Sequence, residues 1–442
     1  MLKRVIDNAL EQRPRLVCVV TWIIRLTVGC VFIISGFTKA VDPWGTLYKV
    51  DAYLASMSLS VWPNLVVVGV FGLCAVEFFI GICLAAGCLR RTSPILVLII
   101  MAFMLPLTLW IAIKNPVSDC GCFGDAIILS NWATFWKNIV LTVLTLWLLA
   151  FNKSVHWLIT PALQWIAILG TGLFIMAVEM FGYVAQPLLD FRAYKVGQQL
   201  VDRNDRVQDE PEYVFIYEKD GERREFNISD ELPDEQDGWI FIDRREVEST
   251  SDTESGNDTE PTKNLRIWTP DGRKDVTEDE ILAEGKELLV MIPSLPAVSP
   301  ATTWKLNSLY EWAVKNDVKM IGVVAGSIDE INDWEDLSMA SYPIFSADDS
   351  QIKEVVRGNP GMVYLENGEI IWKSTLTAIN IDDFLSPDTS DDARKFGMDN
   401  LRILRNCVYL YAMIISVLVF LSFIPSLKNV YLSAWRKGKN HS

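Results

Sequence analysis

Histidine is almost missing from this chain: its 442 residues include only His156 and His441, too few to complete a closed zinc site. Basic charge is also short. Forty Lys and Arg face 55 Asp and Glu, a net charge of −15, and this argues against nucleic acid, whose phosphate backbone needs a basic footprint. No pair of interrupted apolar segments recurs in corresponding halves, which makes transport the weaker reading. What is plentiful is apolar surface: half of the residues are hydrophobic and mean hydropathy is +0.23, the composition of a membrane protein with room for about three domains. The acidity is concentrated. Residues 190–400 hold 47 acidic and 22 basic side chains, a net of −25, which leaves the remainder at about +10; an acidic soluble block sits inside a basic, apolar frame.

Apolar runs at residues 16–37, 61–86, 94–113, 132–151, 157–181 and 401–424 predict six membrane helices. The first exceeds a signal-peptide core and lacks a small-residue cleavage site, so it is expected to be retained. Lys3, Arg4, Arg13, Arg15, Arg90, Arg91, Lys153 and the tail residues Lys428, Arg436, Lys437 and Lys439 fall on one side. The positive-inside rule makes that side cytoplasmic and puts the acidic block outside, in the periplasm of a bacterium, with both termini cytoplasmic.

One loop on the outer side stands apart: Asp119-Cys120-Gly121-Cys122-Phe123-Gly124. Two cysteines separated by one glycine can close only a very small ring, whose strain makes an easily reduced oxidant, with Gly121 supplying the permissive backbone. The alternative is two unpaired thiols in a turn. Lys137 follows closely and either favours a thiolate or snorkels to the interface. Arg25 and Glu77 each lie roughly 14 Å from the cytoplasmic end of their runs at about 1.5 Å per residue; they are expected to form an intramembrane ion pair, either a packing clamp or a participant in proton or quinone chemistry. Cys30 and Cys74 are expected at similar depth, as an electron relay or as small packing residues.

These residues carry a resemblance. Arg25-Leu26-Thr27-Val28-Gly29-Cys30 through Ser35-Gly36-Phe37-Thr38-Lys39-Ala40-Val41-Asp42-Pro43 resembles the opening helix of DoxX-like membrane proteins, and Asp119 to Gly124 is similar to the signature of methylamine-utilisation MauE proteins. The resemblance covers residues 1–185. It implies a four-helix core, here with two further spans, that serves disulfide formation or redox maturation of exported proteins, with Cys120 and Cys122 as the active pair; Asp119, Gly121 and Lys137 are the candidate supporting residues read from their places in and beside the loop.

Within the soluble block, residues 190–247 read as a small β-rich module and 248–262 as a flexible acidic linker. Residues 265–385 alternate β runs with helical patterns, an α/β order. They resemble a thioredoxin-like domain of the TlpA type, inserted before the last helix at 401–425 and the basic tail at 426–442. Gly358-Asn359-Pro360-Gly361 is similar to that fold's cis-proline loop, whereas residues 293–300, where the family carries its dithiol, contain no cysteine. Asn359 and Pro360 are then part of a partner-docking loop or of an inert scaffold.

The expectation is a multi-pass component of the bacterial inner membrane that exchanges thiols and disulfides with a periplasmic client or redox partner. No cofactor motif is evident, and a quinone is one acceptor such a pair could use. The alternative is a non-catalytic membrane scaffold whose thioredoxin-like domain binds a partner, and a Cu(I) site on the two thiolates is a third reading.

Overall fold

The structure is a computed structural model describing residues 14–115, 120–151, 157–201, 213–219, 222–227, 240–246, 265–385 and 393–439. Asp119, His156, His441 and the segment 248–262 lie outside the described residues. The chain divides into a helical unit, built mainly from residues 1–183 and 399–442, and a soluble unit formed by most of the residues between.

In the helical unit, α1 (Pro14–Val41), α2 (Pro43–Ser56), α3 (Pro63–Ala85), α4 (Thr92–Lys114), β1 (Cys122–Asp125), α5 (Asn131–Ala150), α6 (Gln164–Val184) and α10 (Asn400–Lys439) follow in order. Six of these helices are long and apolar enough to cross a membrane; this is a multi-pass helical membrane protein. Large apolar groups such as Val68, Phe103, Val143, Leu173 and Phe420 lie exposed on their outer faces, as helices bathed in hydrocarbon require.

Helix α1 continues past the apolar limit at Phe37 to Val41: Thr38 donates back to the Ser35 carbonyl of its own helix and Lys39 to Glu77 of α3. Asp42 then stops it and caps α2: its Oδ1 accepts from the Gly45 amide at 3.0 Å, with Pro43 in the first turn. The fifth span begins at Gln164, not at 157. Pro161 interrupts that run, since the residue before a proline resists helix, and Trp157 instead lies against the Arg90 guanidinium, 4.0 Å from its ring centroid.

Helices α1 and α3 touch backbone to backbone. A Cβ on Gly36 would lie 2.4 Å from the Phe78 nitrogen, and one on Gly81 2.6 Å from the Ile33 nitrogen. Small residues of this kind are how membrane helices approach closely. The contacts also fix an antiparallel stagger. Gly29 meets Gly81 and Ala85 while Gly36 meets Cys74 and Phe78, so Arg25 reaches the last turn of α3 and Glu77 comes level with Ser35 and Lys39.

The soluble unit contains a three-stranded antiparallel sheet, order β3-β2-β4, from Tyr213–Lys219 (β2), Glu222–Asn227 (β3) and Ile240–Glu246 (β4). A five-stranded sheet follows. Its strands are Lys286–Ile292 (β5), Lys319–Val324 (β6), Ile344–Ser346 (β7), Gly361–Glu366 (β8) and Glu369–Thr375 (β9), in the order β7-β6-β5-β8-β9. Strands β5, β6 and β7 are parallel and β8 and β9 antiparallel. Its central strand β5 is buried on both faces: Leu288, Val290 and Ile292 pack with Leu306, Leu309 and Trp312 of α7 (Thr303–Lys315), and Leu289 and Met291 with Ile352 and Val355 of α9 (Asp349–Val355). Helix α8 (Ile328–Ser338) opens with a Ser327–Glu330 capping box. The β8–β9 hairpin turns on Asn367 and Gly368 at φ +53° and +76°, both left-handed as a two-residue hairpin demands.

A buried charge cluster ties residues 190–194 to β9. Asp190 accepts from Arg192 at 2.8 and 3.0 Å and from Lys373; Lys373, itself buried, also donates to the carbonyls of Tyr194 at 2.6 Å and Val355 at 3.0 Å. Burial pushes the Asp190 carboxyl up, but Arg192 and Lys373 hold it down to about 2.

Candidate functional site

The cysteine loop leaves α4 at Asn115, a left-handed residue at φ +47°, and returns at Asn131. The Asn131 side-chain amide donates to the Asn115 side-chain oxygen at 2.7 Å and closes the loop at its base. Within it the Cys120 and Cys122 sulfurs stand 3.1 Å apart. Gly121 makes the approach possible: its φ is +64°, and an added Cβ would meet the Lys49 side chain at 2.4 Å. Lys49 in turn pairs with Asp125 at 3.1 Å. Gly121→Ala therefore meets both a backbone and a steric penalty. We expect it to slow closure of a Cys120–Cys122 disulfide by about tenfold or more, an effect of roughly 1–2 kcal/mol, measured as the oxidation rate of the loop thiols in the full-length protein.

Beneath the loop lies a buried polar network. Ser35 donates to the Cys122 carbonyl at 2.6 Å or to the Glu77 carboxylate at 2.8 Å, and Lys39 donates to both Glu77 oxygens at 3.0 and 2.8 Å and to Ser35 at 3.1 Å. These groups share a cavity of about 30 Å³ with Cys122, Lys137, Asn138 and the apolar Phe32, Met101 and Met104. Lys137 sits 4.4 Å from the Phe123 ring centroid, and Asn138 donates to Thr108 at 3.3 Å.

The two sulfurs are electrostatically unequal. The contact with Cys120, with Lys137 and Lys39 acting against burial, lowers the Cys122 thiol; Cys120 is pushed up by that same contact and by burial. Lys137 and Lys39 thus favour negative charge on Cys122.

Residues 17–151, which span α1 to α5 and include this loop, match the family model of methylamine utilisation protein MauE. The membrane unit is MauE-like. Residues 211–248 of the soluble unit match a domain of unknown function (DUF8463). A search of curated proteins gave no match.

The expected Arg25–Glu77 pair is not formed. Arg25 donates from Nε to the Leu84 carbonyl at 3.0 Å and from Nη2 to the Cys83 carbonyl at 3.3 Å, so it caps the open end of α3, while Glu77 pairs with Lys39. Equal distances from the ends of two apolar runs imply equal depth only where the helices end flush, and α1 and α3 are staggered. The same stagger separates Cys30 from Cys74: Cys74 is buried at the level of Gly36, whereas Cys30 is exposed. They do not face each other as a relay. Asn359 and Pro360, joined by a cis peptide bond, lie in the soluble unit, where the Asn359 amide donates to the Ser294 carbonyl at 2.7 Å.

Sequence reasoning missed Ser35, Lys39, Lys49 and the Asn115–Asn131 clasp. It also missed Glu179, a buried carboxyl in α6. Lys39 and Glu179 were visible as ionisable residues at the edges of apolar runs, the signal that an intramembrane charge has a function or a partner. The clasp and Lys49 left no such trace.

Proposed function

We propose that the MauE-like unit is a thiol–disulfide exchanger of the bacterial inner membrane, with Cys120 and Cys122 as its catalytic pair, the loop on the periplasmic side and both termini cytoplasmic. The observation that carries this reading is the 3.1 Å separation of the two sulfurs across left-handed Gly121. Exchange proceeds by attack of a partner's thiolate on the Cys120 sulfur; the sulfur–sulfur bond breaks and its electron pair departs on Cys122, the better leaving group because its thiolate is the more stable. The partner's second thiol then attacks its own sulfur in the mixed disulfide, and Cys120 leaves as a thiol with that proton. The partner loses two electrons and the pair gains them. A membrane quinone is the class of acceptor that would remove the two electrons and their protons and restore the disulfide.

The strand order β7-β6-β5-β8-β9 and the Asn359–Pro360 loop beside Ser294 favour reading the soluble unit as thioredoxin-like. Residues 293–300 hold no cysteine, so its role in this proposal is to dock the partner and not to exchange thiols. The proposal is tested by trapping the redox state of Cys120 and Cys122 in cells with a mass-tagged alkylating agent, before and after mild reductant. A pair oxidised at rest, readily reduced, and caught in mixed disulfides when either cysteine is serine is the expected result. Two thiols that stay free throughout, with a double serine variant indistinguishable from wild type, would overturn it.

A further inference from the structure

Lys39 is an expensive residue to bury within hydrocarbon, and its position defines what it could do. Its ammonium has three protons and meets three acceptors, the two Glu77 oxygens and Ser35. Ser35 links this pair to the backbone of Cys122 at 2.6 Å, and Lys39, Glu77 and Cys122 line one cavity. Among the described residues, the other charged groups lining that cavity or paired with the loop are on two helices. Helix α5 contributes Lys137, and α2 contributes Lys49, which is paired with Asp125 of the loop. Helix α4 lends the cavity only Ile100, Met101 and Met104. A neutral pair would have served packing alone, at lower desolvation cost.

We infer that the buried Lys39–Glu77 pair controls the charge on Cys122, Lys39 favouring its thiolate and Glu77 restraining it, so that these two residues set the reduction potential of the cysteine pair from inside the membrane. The inference rests on the thiol-exchange reading. In the exchange step it concerns one moment: the sulfur–sulfur bond has broken, the departing electron pair has settled on Cys122, and no proton has yet arrived. Lys39 and Glu77 line the same cavity as Cys122, and their actions on the Cys122 thiol are opposite, Lys39 lowering it and Glu77 raising it. Lys39 and Glu77 are positioning residues here; neither exchanges electrons.

The experiment uses the reduced full-length protein in lipid nanodiscs. The rate of Cys122 alkylation by iodoacetamide is followed against pH by peptide-resolved mass spectrometry, for wild type, Lys39→Met, Glu77→Gln and the double variant. Lys39→Met is expected to raise the midpoint by about one pH unit or more and Glu77→Gln to lower it by a similar amount, with the double variant returning to within about half a unit of wild type. Equilibration with a glutathione couple should follow: the pair becomes about tenfold easier to reduce in Glu77→Gln, about 30 mV, and correspondingly harder in Lys39→Met. Breaking a structural clamp from either side would move both variants the same way, so shifts of one sign, or none, overturn the inference. Should Lys39→Met fail to fold, the isosteric Glu77→Gln decides alone, and an unchanged or raised midpoint rejects it. If no variant, nor wild type, closes the disulfide, the exchange reading itself fails, a result separate from the alkylation midpoints of the reduced protein.

Discussion

Gly36→Ala is expected to destabilise the MauE-like unit by about 3 kcal/mol, and Gly36→Val by more. The added Cβ would lie 2.4 Å from the Phe78 nitrogen, 2.8 Å from its Cα and 2.9 Å from the Cys74 carbonyl oxygen. All three are backbone atoms, so no side chain can swing aside and α1 must separate from α3. In hydrocarbon that separation is not offset by a hydrophobic gain elsewhere, because helix association depends on close packing and buried polar contacts. The Lys39–Glu77 contacts at 2.8 and 3.0 Å lie one turn further along the same interface and would stretch with it. Gly72 provides the control. It lies in α3 with nothing within 4 Å of its would-be Cβ, and Gly72→Ala should be neutral or slightly stabilising, since alanine is the better helix former. Thermal unfolding in detergent, read as the temperature at which buried Cys74 becomes reactive to a thiol dye, separates the two. Equal melting of the Gly36 and Gly72 variants would refute the packing argument.

Asp190→Asn should cost the soluble unit about 3–5 kcal/mol, the range for removing one partner of a buried ion pair. The amide keeps the volume but leaves Arg192 and Lys373, both buried, as two cations without their shared anion. The wild-type protein should show the corresponding pH dependence. A carboxyl that ordinarily titrates at 3.8 is held at about 2 in the folded unit, so its contribution is fully present above about pH 4 and disappears as pH falls toward 2. The asparagine variant, already weakened at neutral pH, should lack that slope. Limited proteolysis of the full-length protein across this range measures both effects, and a variant as resistant as wild type at pH 7 would show the cluster to be dispensable.

How far these features could be read from the chain depended on how local their cause was. The membrane helices were legible because their signal is a run of consecutive residues, and the closeness of the Cys120 and Cys122 sulfurs because one glycine separates them. The turn on Asn367-Gly368 carried its own backbone preference. Helix α2 was missed although Asp42-Pro43 is a cap followed by a first-turn proline; its apolar residues are interrupted by Gly45, Thr46, Lys49 and Asp51 and make no continuous run. Glu77 was correctly marked as a charge that needs a partner, but the wrong cation was chosen. The decision belonged to Gly29, Gly36 and Gly81, whose contacts set the stagger of α1 on α3, and an offset between helices far apart in sequence leaves no periodicity to read. The Asp190 cluster was invisible for the same reason, since Lys373 lies 183 positions downstream.

The side-chain amide of Asn400 donates to the Pro187 carbonyl at 3.4 Å, so the chain departs from the helical unit and rejoins it at almost one point. In chain order the soluble unit is an insertion between two neighbouring points of the helical unit. A short bridge of glycines and serines from Leu189 to Asp399 would close the gap and leave α10 tethered where it now begins. The helical unit is thus closed on itself at the point of insertion, the kind of site at which a bundle tolerates an inserted segment of any length.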